Sequence, residues 1–173
     1  MNFRLATMDD LPQLKKVYKK IIENMNKNNI YIWDEIYPCE LFRDDIENNC
    51  LYVLTENNEI ASAFVLCDSN VGSDSVQWES KHDEALYMSR FGVNVDYLKR
   101  GVGKRMINLA TELARDKGVK YLRLFVADIN EPATNFYIKN GFQKVEGVYN
   151  EIFDDGFVLR GFGFEIKTST NED

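Results

Sequence analysis

One stretch limits what this chain can fold into more than any other. An apolar run, Leu86 to Val95, leads into Leu98-Lys99-Arg100-Gly101-Val102-Gly103-Lys104, and helix-period apolar positions follow from Met106 to Ala114. Strand, glycine turn and helix, in that order, form an anion site. Backbone N–H groups converge at the turn, and the helix N-terminus adds partial positive charge. Lys99, Arg100, Lys104 and Arg105 surround the two glycines in a chain whose formal net charge is -7. Positive charge concentrated at one turn of an acidic protein points to a phosphate-bearing ligand. A lone G-x-G occurs in many folds, so the rest of the chain has to narrow the reading.

At 173 residues and 45% hydrophobic content, the chain is long enough for one domain with a real core. That domain is expected over residues 1–167, followed by a polar tail at 168–173. The acidic balance argues against nucleic acid as a partner, since nucleic-acid binders carry a basic face. It suits a cationic substrate, or serves solubility alone. No apolar run approaches the length of a membrane span, and the opening Met1 to Thr7 lacks a signal-peptide core. The three cysteines, Cys39, Cys50 and Cys67, are an odd number without metal-ligand spacing, and His82 is the single histidine. The expectation is therefore a cytoplasmic protein without a metal, membrane contact or disulfide framework.

The periodicities predict an order of elements. Phe3 to Ala6 reads as a first strand, and Thr7 with Asp10 as a capping box. Leu11, Leu14, Val17, Tyr18, Ile21, Ile22 and Met25 form the apolar stripe of a helix. A shorter helix is predicted over Glu40 to Asn48. Leu51 to Thr55 and Ile60 to Cys67 read as a hairpin, Asp68 to Asp83 as a surface loop and Leu86 to Val95 as the central strand. A helix from Gly101 to Lys117 ends at Gly118, and Tyr121 to Ala127 is again a strand. Asn130 and Pro132 open a helix that Gly141 closes. Phe142 to Val148 and Phe157 to Ile166 form a last hairpin. Together these predict an α/β (α+β) architecture: a mixed, mostly antiparallel sheet of about six to seven strands with helices on both faces.

A second motif reads Asn130-x-x-Ala133-x-x-Phe136-Tyr137, followed by Gly141-Phe142. With Gly101-Val102-Gly103 ahead of it, and with this strand order, the chain resembles the GNAT superfamily of acetyl-CoA-dependent N-acetyltransferases from about Met1 to Lys167. The segment Trp33-Asp34-x-x-Tyr37-Pro38 further resembles small bacterial members of that family. One position departs from the pattern: Leu98 stands where the family usually has Gln or Arg. That leaves backbone N–H groups as the phosphate contacts, with Lys99 and Arg100 as substitutes for the missing side chain.

The resemblance implies a GNAT-like fold and a set of site residues. Acetyl-CoA would enter where the strand at Leu86–Val95 splays from the strand at Tyr121–Ala127. The pyrophosphate would rest on Lys99, Arg100, Gly101, Val102, Gly103 and Lys104. The pantetheine arm would pair with backbone near Phe91 and Val93, Gly92 allowing a bulge there, and Asn130 and Phe136 would complete the cofactor-binding set. Val93 N–H would serve the oxyanion, and Tyr137 would protonate the leaving thiolate. The attack would be direct, in a ternary complex.

A lysine-like amine must shed a proton first, about 3.4 pH units below its pKa at neutrality, or about 4.6 kcal/mol. Glu84 is the expected base, ahead of Asp83, Glu79, Ser89 and His82. Trp33 is expected in the substrate wall, with Tyr31 and Tyr37 beside it. The acceptor would be a small-molecule or peptide amine, and the protein a monomer or homodimer. Two rivals remain: a non-catalytic acyl-CoA-binding module, and a Rossmann-type nucleotide binder. The second requires an acidic ribose ligand after the glycines, whereas Lys117 to Arg123 is basic and apolar.

Overall fold

The computed structural model describes residues 1–168; the remainder of the expected polar tail lies outside the described residues. The chain divides into two compact units. The first holds Met1–Leu66 and Ser89–Asn108, the second Cys67–Met88 and Leu109 onward. The main sheet runs β1-β2-β3-β5-β6-β10-β7, with β9 on β10. That makes eight strands, more than the sequence predicted, and a separate pair β4-β8 accompanies them. Among the described residues no helix is long and apolar enough to cross a membrane.

The first unit is built from β1 (Asn2–Leu5), α1 (Leu11–Lys27), α2 (Phe42–Glu47), β2 (Leu51–Glu56) and most of β3 (Glu59–Cys67). It also takes the second half of β5 (Ala85–Val93) and the first turns of α3 (Val102–Asp116). The capping box forms, with Thr7 N–H donating to Asp10 Oδ2 at 2.7 Å, and it starts the turn that leads into α1. The apolar stripe of α1 buries Leu14, Val17, Tyr18 and Ile21. β1 and β2 are antiparallel from Asn2↔Thr55 to Leu5↔Tyr52. Asn57 and Asn58 join β2 to β3 with φ of 52° and 65°, the left-handed pair that a two-residue hairpin turn needs. Seven of the nine β3 residues are buried, which explains their continuous apolar reading.

The second unit contains β4 (Val76–Gln77), the start of β5, β6 (Tyr121–Ala127), α4 (Glu131–Lys139), β7 (Gln143–Lys144), β8 (Glu146–Gly147), β9 (Tyr149–Ile152) and β10 (Val158–Lys167). β5 and β6 form a parallel ladder from Ala85↔Tyr121 to Met88↔Leu124. β10 runs antiparallel to β6 from Gly161↔Ala127 to Lys167↔Tyr121.

Two sequence expectations change here. Asp68–Asp83 is not a plain surface loop: Val76 and Trp78 are buried with Ala85, Tyr87 and Tyr121, and Val76 pairs with Gly147. The last hairpin is also split. β10 pairs with β9 over Val158–Gly161 and with β7 at Phe164–Glu165, while β8 leaves to join β4. Thr168, expected to begin the tail, is buried, its N–H donating to Lys120 O at 3.0 Å.

Candidate functional site

The expected site residues fall into both units. In the first, the turn after β5 is fixed from below by Asn94. Its N–H donates to Ala61 O, its Nδ2 donates to Ile60 O, and its Oδ1 accepts from Asp96 N–H. Leu98 is extended, and then Lys99 and Gly101 adopt left-handed φ of 60° and 76°. A Cβ on Gly101 would meet no protein atom within 4 Å, so the backbone angle is what calls for glycine there. Arg105 N–H donates to Gly101 O, which closes the first turn of α3. Buried Val102 and Met106 anchor that turn, while Lys99, Arg100, Lys104 and Arg105 stay exposed. The first N–H groups of the helix have no intrahelical acceptor, and they emerge among these cations.

The four cations are not equivalent. Arg100 is bound to Glu56 at 3.0 Å and lies 4.6 Å over the Tyr97 ring. Lys99, Lys104 and Arg105 form no ion pair among the described residues. Of the two cations expected to stand in for a side chain at Leu98, Lys99 and Arg100, the side chain of Arg100 is thus already engaged within the protein.

β5 reaches this turn through a kink. Arg90, not Gly92, carries the irregular angle, with φ of 50°. Gly92 serves another purpose: a Cβ there would come within 2.8 Å of Ile21 Cδ1 and 3.0 Å of Tyr18 Cζ, so glycine lets α1 lie against the strand. Beyond the kink the carbonyls are held by side chains. Tyr18 OH donates to Arg90 O at 2.5 Å and Ser62 Oγ to Gly92 O at 2.7 Å. Residues 92 and 94 bond toward β3, so the alternation of an extended strand turns the Val93 N–H to the opposite edge.

Trp33 is half-buried and stacks on Tyr18 with centroids 5.6 Å apart, and Tyr18 meets Phe42 edge-on at 4.7 Å. Burial pushes the Tyr18 phenol far above its ordinary range. The structure thus joins Trp33 to the kink of β5 through Tyr18. Sequence reasoning passed over Tyr18, Asp45 and Arg90. The one available signal was Arg90 itself, a charged residue inside an apolar strand.

In the second unit, Asn130 Oδ1 accepts from Ala133 N–H at 3.2 Å and so caps α4, with Pro132 in the first turn. Tyr137 is 8% exposed and packs edge-on against Phe136 and Phe142, each at 5.4 Å. Burial raises the Tyr137 phenol well above its usual value, so it is protonated throughout the neutral range.

Glu84 is exposed and immediately precedes β5, nine residues before Val93. Asp83 is paired with Lys120 at 2.7 Å and Glu79 with Lys167 at 2.6 Å; His82 is exposed and Ser89 half-buried.

Comparison with known proteins shows the family and the fold. Residues 15–142 match the family described as Acetyltransferase (GNAT). An uncharacterized N-acetyltransferase of Methanocaldococcus jannaschii is 29% identical over 84% of this chain, which spans 62% of that relative's length. Two solved structures share the fold. One is an acetyltransferase of the GNAT family from Streptococcus agalactiae 2603, with a TM-score of 0.79 and 16% identity over 98% of this chain and 96% of that one. The other is the yncA protein of Salmonella typhimurium, solved with its cofactor acetyl-CoA, with a TM-score of 0.68 and 13% identity over 100% of this chain and 96% of that one. On the family match and the shared fold, this chain belongs to the GNAT family of acetyltransferases.

Proposed function

We propose that the chain, acting as a single domain over residues 1–167 in the cytoplasm, transfers an acetyl group from acetyl-CoA to a primary amine by direct attack. The observation that carries this reading is the 99–104 turn: two left-handed residues, a helix start, and Lys99 and Lys104 with the adjacent Arg105, none of them in an ion pair among the described residues. Such a turn fits a diphosphate, with backbone N–H groups as donors and Lys99 and Lys104 as counter-charges. The acetyl-CoA in the Salmonella neighbour supports the same ligand.

When bound, acetyl-CoA supplies the thioester. Val93 N–H faces the edge away from the Ser62 anchor and donates to the thioester oxygen as negative charge develops there. The amine nitrogen bonds to the carbonyl carbon, the C–S bond breaks, and the amine gives up a proton. Tyr137, which burial keeps protonated, gives its proton to the departing sulfur and is reprotonated from solvent. Phe91, Asn130 and Phe136 hold the pantetheine arm, and Trp33 lines the acceptor side. Glu84, exposed just before β5, is the proposed base, taking the proton directly or through water.

The second reading, an acyl-CoA-binding module without turnover, draws on the neighbouring carboxylates, since Asp83 and Glu79 are tied up by Lys120 and Lys167. One experiment separates the two. Tyr137→Phe is expected to lower thiol release at least about 100-fold, as loss of a general acid does, while calorimetric affinity for CoA stays within twofold. The assay is a panel of free-amine peptides, polyamines, aminoglycosides and amino acids. Binding without thiol release across the panel favours the module, and unchanged turnover in Tyr137→Phe removes the phenol from the mechanism.

A further inference from the structure

Arg90 combines features that the reading above leaves unexplained. It is a non-glycine residue with φ of 50° inside a strand, a conformation that L-residues disfavour and that persists only where the surroundings impose it. Its guanidinium is clamped by Asp45 of α2, Nη2 to Oδ1 at 2.6 Å and Nε to Oδ2 at 2.9 Å. The side chains are 15% and 10% exposed. Tyr37 offers its ring 6.0 Å from the same guanidinium, and the Tyr18 hydroxyl fixes the carbonyl of Arg90. Both ends of one residue are thus pinned. Asp45 and Arg90 are 45 positions apart in sequence, so the clamp ties α2 to the kink directly.

A bidentate arginine–carboxylate pair fixes orientation as well as distance, which a point charge cannot do. Three residues past Arg90 stands Val93, whose N–H is turned away from β3. The direction of that N–H depends on the angle at which the strand leaves the kink, and small misplacements of an oxyanion donor lower rates sharply.

We infer that Arg90 is a positioning residue: held by Asp45, it sets the left-handed kink of β5 that aims the Val93 amide at the thioester oxygen. The inference rests on the proposed acetyl-CoA site. It assigns no contact with substrate to Arg90, whose charge is already matched by Asp45. The same clamp accounts for an arginine standing where glycine would adopt the angle without resistance. Glycine would permit the kink, and the clamped arginine enforces it.

The test needs no acceptor. Acetyl-CoA labelled with 13C at the thioester carbonyl is bound to the wild-type protein and to Arg90→Lys, Arg90→Gly and Asp45→Asn. The carbonyl resonance is read by NMR and the affinity by calorimetry. In the wild type the bound resonance moves downfield of free acetyl-CoA, the signature of a hydrogen bond to the oxygen. Arg90→Gly, which tolerates φ of 50° and so folds, is expected to lose at least half of that displacement with affinity within threefold. Asp45→Asn follows it, and Arg90→Lys, which keeps the charge and one bond, falls between. Equal displacement in all four proteins overturns the inference and leaves the acetyl-CoA site standing. A tenfold loss of affinity in Arg90→Gly overturns it too, by making the pair part of the binding surface. Failure of the wild type to bind the labelled compound removes the site itself, and the inference with it.

Discussion

Arg90–Asp45 in the first unit and Arg123–Glu165 in the second are both arginine–carboxylate pairs withdrawn from water, and they are built for different ends. Arg90 meets its partner through two parallel bonds, and its remaining attachments are the Tyr18 hydroxyl, which donates to its carbonyl, and the Tyr37 ring. Arg123, 2% exposed, gives only Nε to Glu165 and spends the rest of its fork elsewhere: Nη2 on Ser80 O at 2.6 Å and Nη1 on Tyr87 OH at 3.5 Å. Its guanidinium lies 4.7 Å over Trp78 and 5.0 Å from the Tyr121 ring. Glu165 in turn accepts from Glu79 N–H. The first pair constrains one backbone angle; the second ties the 78–80 segment to β6 and β10. The chemistry is the same in both, so burial and the remaining partners decide what such a pair does.

The largest effect expected on this comparison is in stability. Arg123→Met removes one half of a fully buried pair and strands the Glu165 carboxylate and the Ser80 carbonyl. Breaking such a pair typically destabilises by about 3–5 kcal/mol, or roughly 6–20 °C in Tm for a chain of this size. Acetyl transfer by the protein that remains folded should be unchanged. Thermal melts and kcat measured well below Tm decide the matter, and a Tm loss under about 2 °C would place Arg123 with the exposed pairs.

A smaller effect sharpens the point. Adding Glu165→Leu to Arg123→Met replaces both charges with apolar volume, a change often neutral for an isolated buried pair. Here recovery should be partial, about half of the loss, because Ser80 O and Glu79 N–H still lack their partners. Urea titrations of the two single variants and the double variant give the coupling. Full recovery would mean that the backbone anchoring of the 78–80 segment contributes nothing.

What the sequence could and could not show follows the same division. The stripe of α1, the Thr7–Asp10 capping box, the glycine at 101, the Asn130 cap and the stop at Gly118 all depend on neighbours within about one or two helical turns, and local patterns record them. Gly118 indeed has φ of 72°, with its N–H on Arg115 O. Trp78 was lost in a segment read as loop, because its partners Tyr87, Tyr121 and Arg123 arrive from other strands. Arg123, between Leu122 and Leu124, reads as an outward-facing polar residue until Glu165, 42 positions later, turns it inward. The bulge was assigned to Gly92 because glycine is the usual carrier of irregular backbone. That rule fails where a distant carboxylate holds an arginine in the glycine region.

A third pair extends the comparison toward the surface. Arg4 holds Asp10 with two bonds, at 2.7 and 2.9 Å, end-on through Nη1 and Nη2 where Arg90 uses Nε and Nη2, and the Arg4 side chain is 38% exposed. The Arg4 hydrogen bonds hold the Asp10 carboxyl below its ordinary range, against a partial desolvation, and the Thr7 N–H adds to the effect. A carboxylate with a lowered folded pKa contributes stability above its unfolded value, and that contribution disappears as pH falls through the folded value. Asp10→Asn should therefore lower stability at pH 7 by no more than about 1 kcal/mol after solvent screening, or roughly 2–4 °C. As pH falls through the folded value and the wild-type carboxyl takes up its proton, the gap should close. Melts of both proteins from pH 7 downward test this, with a gap of constant size counting against it. Arg4–Asp10 and Arg90–Asp45 are then both bidentate, while the energy such a pair carries depends on the water excluded around it.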